Sequence, residues 1–418
     1  MPLPGLARKI IKMLNKKLVL KIFEAFSIER WNDLIRPFDL IEMDKAAEKM
    51  VLVYILGKFE ENAGRRINWT WLINASFFDL LKKIALCDIK APVQALIKQE
   101  YPSEYMRLNE WVLNQYKPLI DDDDLFKKFT IYVGQKAGSI PVPEEDSLTF
   151  HVYQAAHKYS TMRELEMIKP VNEEQRLTKI EKELNKDIQR FLDLRGLQLL
   201  TTKQRPYEFL LKTEQLRFQR RWNQTPRIPN TSVLGHSYFV AILSFLLSRQ
   251  NGSSPCEKRI FNNFFCSLFH DLPEAVTRDI ISPVKQATDE LPSIVKHIED
   301  EIVNKELVPL MEDFYKAELM YFTNDEFENR IFCDGKVEFT EFDKLNSVYN
   351  ENEYNPVDGK LVRLCDHASA LLEADISIKH GITSVHLEVG RTNILSIYPE
   401  DKVINGINAY RLFENLVE

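Results

Sequence analysis

Three apolar helical stretches of this chain each carry a potential metal ligand, and their packing constrains the fold more than any other feature. His236 opens one stretch, and the pair His270-Asp271 closes the next. Asp366 lies within a third, Leu-Cys-Asp-His-Ala-Ser-Ala-Leu-Leu. Apolar residues at helical spacing pack against other helices, so the three stretches could bring two imidazoles and two carboxylates to one centre. Such a set of nitrogen and oxygen donors suits a divalent ion with open positions for water.

Composition limits the alternatives. Only 13 glycines occur in 418 residues, which disfavours a turn-rich all-β fold, and neither a GxGxxG nor a GxxxxGK[ST] phosphate loop is present. The net charge of −7 gives no reason to expect a nucleic-acid partner. Five cysteines without a CxxC motif indicate reduced thiols in a cytoplasmic protein. No run of 18 apolar residues occurs, so no transmembrane segment is expected.

Helical periodicity dominates the chain and predicts an all-α fold. The basic segment 1–20 is interpreted as a first helix packed against the body. Ser254-Pro255-Cys256-Glu257 has the pattern of a capping box that starts the helix carrying His270. Residues 383–400 are predicted to form a short hairpin. The other predicted helices are 46–59, 71–84, 91–98, a long charged connector at 173–200, a central apolar helix at 237–248, and further helices within 292–321.

The two halves of the chain show a weak internal repeat. Glu-Arg-Trp-Asn at 29–32 is similar to Arg-Arg-Trp-Asn at 220–223, and Ile-Lys-Ala-Pro-Val at 89–93 is similar to Ile-Ile-Ser-Pro-Val at 280–284. The offset is 191 to 192 through most of the repeat and grows to 210 at its end. On this alignment the first copy has lost its metal ligands and forms a degenerate unit. The residues that replace three of the four ligands are Asp44, Phe78 and Ala156.

The order H…HD…D resembles the HD-domain superfamily of metal-dependent phosphohydrolases. The stretch from Phe269 to Lys285 is similar to that of the bacterial 5'-deoxynucleotidases, with an acid three residues after HD and an aspartate before Pro-Val-Lys. Arg221 and Trp222, at 15 and 14 residues before His236, match the Arg-Trp pair of that branch. The resemblance covers roughly residues 206–385.

The resemblance implies a role for each matching residue. His236, His270, Asp271 and Asp366 would bind one divalent ion. The ion would be Mn²⁺, Co²⁺, Fe²⁺, Mg²⁺ or Zn²⁺. Beside it, Glu274 would orient or deprotonate the attacking water together with Asp271 as the catalytic pair. The implied substrate contacts are Arg221 to the phosphate, Trp222 against the sugar at C2', Asp279 to the 3'-hydroxyl, and weaker contacts from Thr277 and Lys285.

The sequence therefore predicts a degenerate HD-like helical domain at 1–170, a helical connector at 171–205 and an HD-type phosphohydrolase domain at 206–418. The expected substrate is a (deoxy)nucleoside 5'-monophosphate. One alternative is another nucleotide: a deoxynucleoside triphosphate, a cyclic nucleotide or an alarmone. A second alternative is a nucleotide sensor or scaffold without turnover. The chain would act as a monomer or homodimer, with the first copy standing in for a second subunit.

Overall fold

The structure, a computed structural model, describes residues 14–87, 89–250, 252–278, 288 and 290–417. The predicted all-α class is confirmed, because helices make up most of the described chain and the strands are short. No helix in these ranges is long and apolar enough to cross a lipid bilayer.

The central helix of the first half is α2, which is buried along most of its length. The elements are α1 Lys16–Phe23, α2 Glu42–Asn62, α3 Trp69–Ala85, α4 Ala91–Glu100, α5 Pro102–Tyr116, α6 Asp123–Ala137 and α7 Ser147–Ile168. Two helices then connect the halves, α8 Glu174–Gln189 and α9 Arg195–Thr201.

The second half is built around α11. Its helices are α10 Arg205–Phe218, α11 Val233–Ser248, α12 Glu257–Phe269, α13 Glu274–Thr277, α14 Leu291–Glu306, α15 Asp313–Thr323, α16 Phe342–Ser347, α17 Gly359–Lys379, α18 Val385–Ser396 and α19 Ala409–Val417. Strands β1 Asn329–Cys333, β2 Lys336–Phe339 and β3 Val357–Asp358 form one antiparallel sheet in the order β2-β1-β3. Strands β4 Val403–Ile404 and β5 Ile407–Asn408 form a two-stranded hairpin.

Helix α11 is the centre of the molecule. All of its residues are buried, as its apolar sequence predicts. It packs against α12 and α17 of its own half and against α2 of the first half. Because these helices meet along α11, the two halves share one hydrophobic core.

The backbone before α2 and before α11 has the same conformation in both halves. In each case an antiparallel bridge joins two residues 12 positions apart, and the tryptophan between them has a φ of 55°. Non-glycine residues rarely adopt this left-handed region, so its occurrence at both tryptophans indicates the same local backbone conformation in the two halves. The bridges are Glu29–Ile41 and Arg220–Ser232, and the tryptophans are Trp31 and Trp222.

Both tryptophans donate to a buried glutamate of a later helix. Trp31 Nε1 donates to Glu164 on α7 at 2.9 Å, and Trp222 Nε1 donates to Glu373 on α17 at 2.8 Å. These contacts relate the halves by an offset of 191 at the bridges and 209 at the glutamates. These offsets differ by one residue from the registers of 192 and 210, which pair Asp44, Phe78 and Ala156 with metal ligands. At the offsets of the contacts, the first-half residues opposite His236, His270 and Asp366 would be Lys45, Asp79 and His157.

The predicted capping box at Ser254 is wrong. Helix α12 begins at Glu257, and its N-cap residue Cys256 makes no capping hydrogen bond with its side chain. A distant loop caps the helix instead, because Asn350 Oδ1 accepts from Cys256 N and Asn352 Oδ1 accepts from Lys258 N, both at 3.0 Å.

Two other predictions need correction. The long connector helix is interrupted between Gln189 and Arg195, where a turn buries Phe191 and Leu194 in the core. The predicted hairpin at 383–400 is helix α18. Its alternating apolar residues do not mark a buried strand face, because Val385 and Val389 are 72% and 50% exposed. Of the predicted first helix, residues 1–13 lie outside the described ranges, and α1 begins at Lys16.

Candidate metal centre

Three of the predicted ligands form a cluster at the junction of three helices. His236 lies in the first turn of α11, His270 directly follows α12, and Asp366 lies on α17. One donor atom from each residue lies within 4.8 Å of the others, and His236 Nε2 is 3.1 Å from Asp366 Oδ1. No second group of three such residues occurs in the ranges that the structure describes. The cluster could hold a metal ion.

Hydrogen bonds fix the orientation of both imidazoles. His270 Nδ1 donates to the carbonyl of Ser267 at 2.7 Å, and His236 Nδ1 lies 2.9 Å from Ser369 Oγ. Each ring thus uses Nδ1 for the protein and presents Nε2 to the centre. Outer partners of this kind set the tautomer and direction of histidine ligands.

The fourth predicted ligand, Asp271, borders the same centre. Its Oδ2 atom lies 3.3 Å from His270 Nε2 and 3.9 Å from His236 Nε2. Asp271 Oδ2 and His236 Nε2 are buried and make no hydrogen bond to any described residue. Buried polar atoms normally have a partner, so this pair of atoms fits a site for a bound cation.

Charges around the cluster favour ionised carboxylates. Burial would raise the pKa of Asp366, but the His236 imidazole and the Arg221 guanidinium hold it well below its usual value. Burial would lower the pKa of His236, but the neighbouring carboxylates of Asp366 and Glu373 raise it. The carboxylate of Asp366 is therefore ionised, as a ligand of a divalent cation requires.

Arg221 and Trp222 lie at the edge of the cluster and share one buried partner. Arg221 Nε donates to Glu373 Oε2 at 3.3 Å, and its two terminal nitrogens lie 3.9 Å from Asp271 and 3.8 Å from Asp366. Trp222 Nε1 donates to the same Oε2 atom. Arg221 could thus contact an anion that approaches the metal ligands.

A cleft of about 1100 Å³ opens above the cluster. Glu274, at the start of α13, and Thr277, at its end, line this cleft together with Arg221 and Trp222. The backbone N–H of Glu274 donates to the Asp271 carbonyl at 3.0 Å, so a tight turn, and not a continuous helix, relates the two carboxylates. Asp279 and Lys285, the other predicted substrate contacts, lie outside the described residues.

Three further histidines, His297, His367 and His380, do not belong to the cluster. His367 Nδ1 lies 2.7 Å from Tyr398 Oη, and His297 lies on the exposed face of α14 beside Glu301. His380 Nδ1 lies 2.7 Å from the carbonyl of Ile376 at the end of α17. None of the three belongs to the metal-binding group.

The sequence analysis did not predict Glu373 and Ser369, which contact His236, nor the bond from Arg221 to Glu373. They follow Asp366 by seven and three residues on α17, so they lie on the same helix face. This spacing was the available signal, but an acid and a serine on an amphipathic helix are too common to be singled out.

Comparison with known families and proteins agrees with the geometry. Residues 213–394 match the family model described as HD domain. No curated protein matches the chain. The match includes all four predicted metal ligands together with Arg221, Trp222 and Glu373, and it supports placing this part of the chain in the HD-domain superfamily, which indicates metal-dependent phosphohydrolase activity in general.

Proposed function

We propose that the second half hydrolyses a nucleoside 5'-monophosphate, with a 2'-deoxy sugar preferred. The observation that carries this proposal is the combination of a His/His/Asp cluster with Glu274 and Arg221 at one cleft. A divalent ion held by His236, His270, Asp271 and Asp366 would act as a Lewis acid and make water a better nucleophile.

The side chains around the cluster supply the other requirements of phosphate hydrolysis. Glu274 lines the cleft and would accept a proton from the attacking water. Arg221 would bind the phosphate through its terminal nitrogens and stabilise the added negative charge. Trp222 would lie against the sugar at C2' and disfavour a 2'-hydroxyl.

The charge of the cleft favours one phosphate over three. Its described lining includes four acids beyond the metal ligands and Glu274, but only two cations, Arg221 and Lys296. Lys296 lies 3.4 Å from one of these acids, Asp300. A triphosphate would bring about four negative charges close to these carboxylates, which is unfavourable without further cations. The other acids are Glu299, Asp325 and Glu326.

We further propose that residues 1–170 are a degenerate copy of the same unit. The repeated bridges, the left-handed tryptophans and the buried glutamates support a duplication. In the first copy a lysine lies in the region that would correspond to the metal centre. Its Nζ atom, on Lys49, contacts Asp79 Oδ2 at 2.5 Å. This copy would serve as a permanent partner for the second, joined to it by the connector at 171–205.

The decisive experiment measures phosphate release from a panel of ribo- and 2'-deoxynucleotides with Mn²⁺ or Co²⁺. We expect release from monophosphates, with faster turnover of the 2'-deoxy series. Asp271→Ala, purified in parallel, should be inactive and so excludes a contaminating phosphatase. Metal-loaded protein that releases no phosphate from any nucleotide would instead favour a sensor.

A further inference from the structure

We propose that Glu373 is a positioning residue that holds Arg221 and Trp222 in the cleft, an inference that rests on the proposed phosphohydrolase function. Glu373 is fully buried on α17, two helical turns after Asp366. It lies behind the substrate side of the cleft and does not line the cleft itself. Its effect would therefore reach the substrate through other side chains.

One carboxylate connects the substrate side of the site with its metal side. Its Oε2 atom accepts from Trp222 at 2.8 Å and from Arg221 Nε at 3.3 Å. Its Oε1 atom lies 3.3 Å from His236 Nδ1 and accepts from Ser369 Oγ at 3.4 Å. Buried hydrogen bonds to an ionised group are among the strongest in proteins, so Glu373 can fix the direction of all these groups.

The first half contains a similar arrangement, in which every nitrogen of the arginine binds a carboxylate. Arg30 donates to Glu164 from Nε at 3.0 Å and from Nη2 at 2.9 Å, and it donates to Glu42 from Nη1 at 2.6 Å. All three nitrogens of this guanidinium therefore bind carboxylates of the fold. Arg30 therefore has no nitrogen that is free of a carboxylate of the fold.

In the second half, the arginine makes a hydrogen bond to a described carboxylate from one nitrogen alone. Arg221 Nε binds Glu373, whereas Nη1 and Nη2 lie beyond hydrogen-bond distance from Asp271 and Asp366. Glu373 thus retains the base of the guanidinium and leaves its two terminal nitrogens directed toward the metal ligands. This is the geometry that a phosphate bound at the centre would need.

One difference in sequence lies at the position that would bind a terminal nitrogen of Arg221. Glu42 is the first residue of α2, and Val233 is the first residue of α11, at the same offset of 191 as the bridges. Val233 is buried and has no carboxylate to bind Nη1. We infer that Val233 keeps the terminal nitrogens of Arg221 available and that Glu373 sets their direction.

The first test is Glu373→Gln in the full-length, metal-loaded protein, with Glu164→Gln as the matched control. We expect Glu373→Gln to raise about tenfold both KM for the best monophosphate and the Kd of inorganic phosphate, while kcat changes less than about threefold and metal content stays the same. Glu164→Gln removes an equally buried charge from the first half, so it should lower Tm without changing KM or phosphate affinity.

The second test does not depend on the stability of Glu373→Gln. Val233→Glu places beside Arg221 a carboxylate like that of Glu42, which binds Arg30 in the first half. Val233→Gln has the same shape without the charge. We expect phosphate to bind at least about fivefold more weakly to Val233→Glu than to Val233→Gln, since only the charged form captures Arg221.

The outcomes separate this inference from the proposed function. If wild type binds phosphate but hydrolyses no nucleotide, the proposed function fails. If wild type is active and Glu373→Gln leaves KM and phosphate affinity unchanged, the positioning role fails. Tighter phosphate binding by Glu373→Gln would also overturn it, because Glu373 would then act only as an opposing charge. Equal phosphate affinity in the two Val233 variants would exclude the role given to Val233.

Discussion

Trp222 is held from two sides, and the second contact is with a glycine. Its indole N–H binds Glu373, while the far edge of the ring packs against Gly390 on α18. A Cβ at Gly390 would lie 2.6 Å from Cη2 of Trp222, which is closer than real Cβ atoms approach a neighbour. The absence of a side chain at residue 390 therefore determines how far the indole can extend across the cleft.

Gly390→Ala should force the indole to move and so weaken discrimination between sugars. We expect the ratio of kcat/KM for 2'-deoxy and ribo monophosphates to fall toward one. Gly57→Ala is a matched control, because a Cβ there would lie 2.5 Å from Cη2 of Trp69, which does not line the cleft. Both variants should lose stability by about 1–3 kcal/mol. If Gly390→Ala keeps the wild-type ratio, Trp222 does not select the sugar.

At the level of residues, the sequence predicted those groups whose chemistry is rare on a helix. Two histidines and two aspartates on apolar stretches are unusual, and the structure places them at one centre. Glu373 could not be predicted in the same way, because its function depends on burial by groups distant in sequence. A glutamate two turns after an aspartate is ordinary on a helix surface, and only the fold makes it a buried anion.

At the level of elements, amphipathic helices were predictable, but their ends and exposed segments were less so. The predicted helices at 46–59, 71–84 and 91–98 lie within α2, α3 and α4. The start of α12 depends on Asn350 and Asn352, which are almost 100 residues away and thus invisible to a local pattern. Helix α18 was mistaken for a hairpin because alternation of apolar residues indicates a strand only when one face is buried.

Charged residues buried between α2, α7 and α10 make the stability of the first half dependent on pH. Burial alone would raise the pKa of Glu164, but Arg30, Lys45 and Arg217 lower it to about 2. In the unfolded chain the same group titrates near 4.3, so the folded state binds fewer protons between these values. Its stabilisation is therefore present above about pH 4.3 and is lost as the pH falls toward 2.

We expect Glu164→Gln to lower the free energy of unfolding at pH 7 by an amount on the order of 3 kcal/mol. The difference from wild type should shrink steadily as the pH falls from about 4.5 to 3. Urea unfolding followed by circular dichroism at several pH values measures this difference. A gap between the two proteins that stays constant across this range would show that Glu164 acts through packing and not through its charge.

At the level of the whole molecule, the first half supports the helix that leads to the metal centre. The Tyr54 ring on α2 lies 5.2 Å from the rings of both Phe265 and Phe269 on α12, and Phe269 directly precedes His270. The Tyr54 hydroxyl also donates to Glu318 at 2.9 Å. Removing α2 would expose this aromatic surface to water and withdraw the support of α12.

We therefore expect residues 202–418 to be insoluble or metal-free when expressed alone. Co-expression with residues 1–201 should restore a soluble complex that binds metal and hydrolyses the same substrate. A matched control is the full-length chain with a protease site inserted at the exposed segment 202–204, between α9 and α10. After cleavage its halves should remain associated in size-exclusion chromatography and keep their activity, because the shared core does not require the covalent link. A soluble, monomeric and active 202–418 fragment would contradict the role of the first half as a permanent partner.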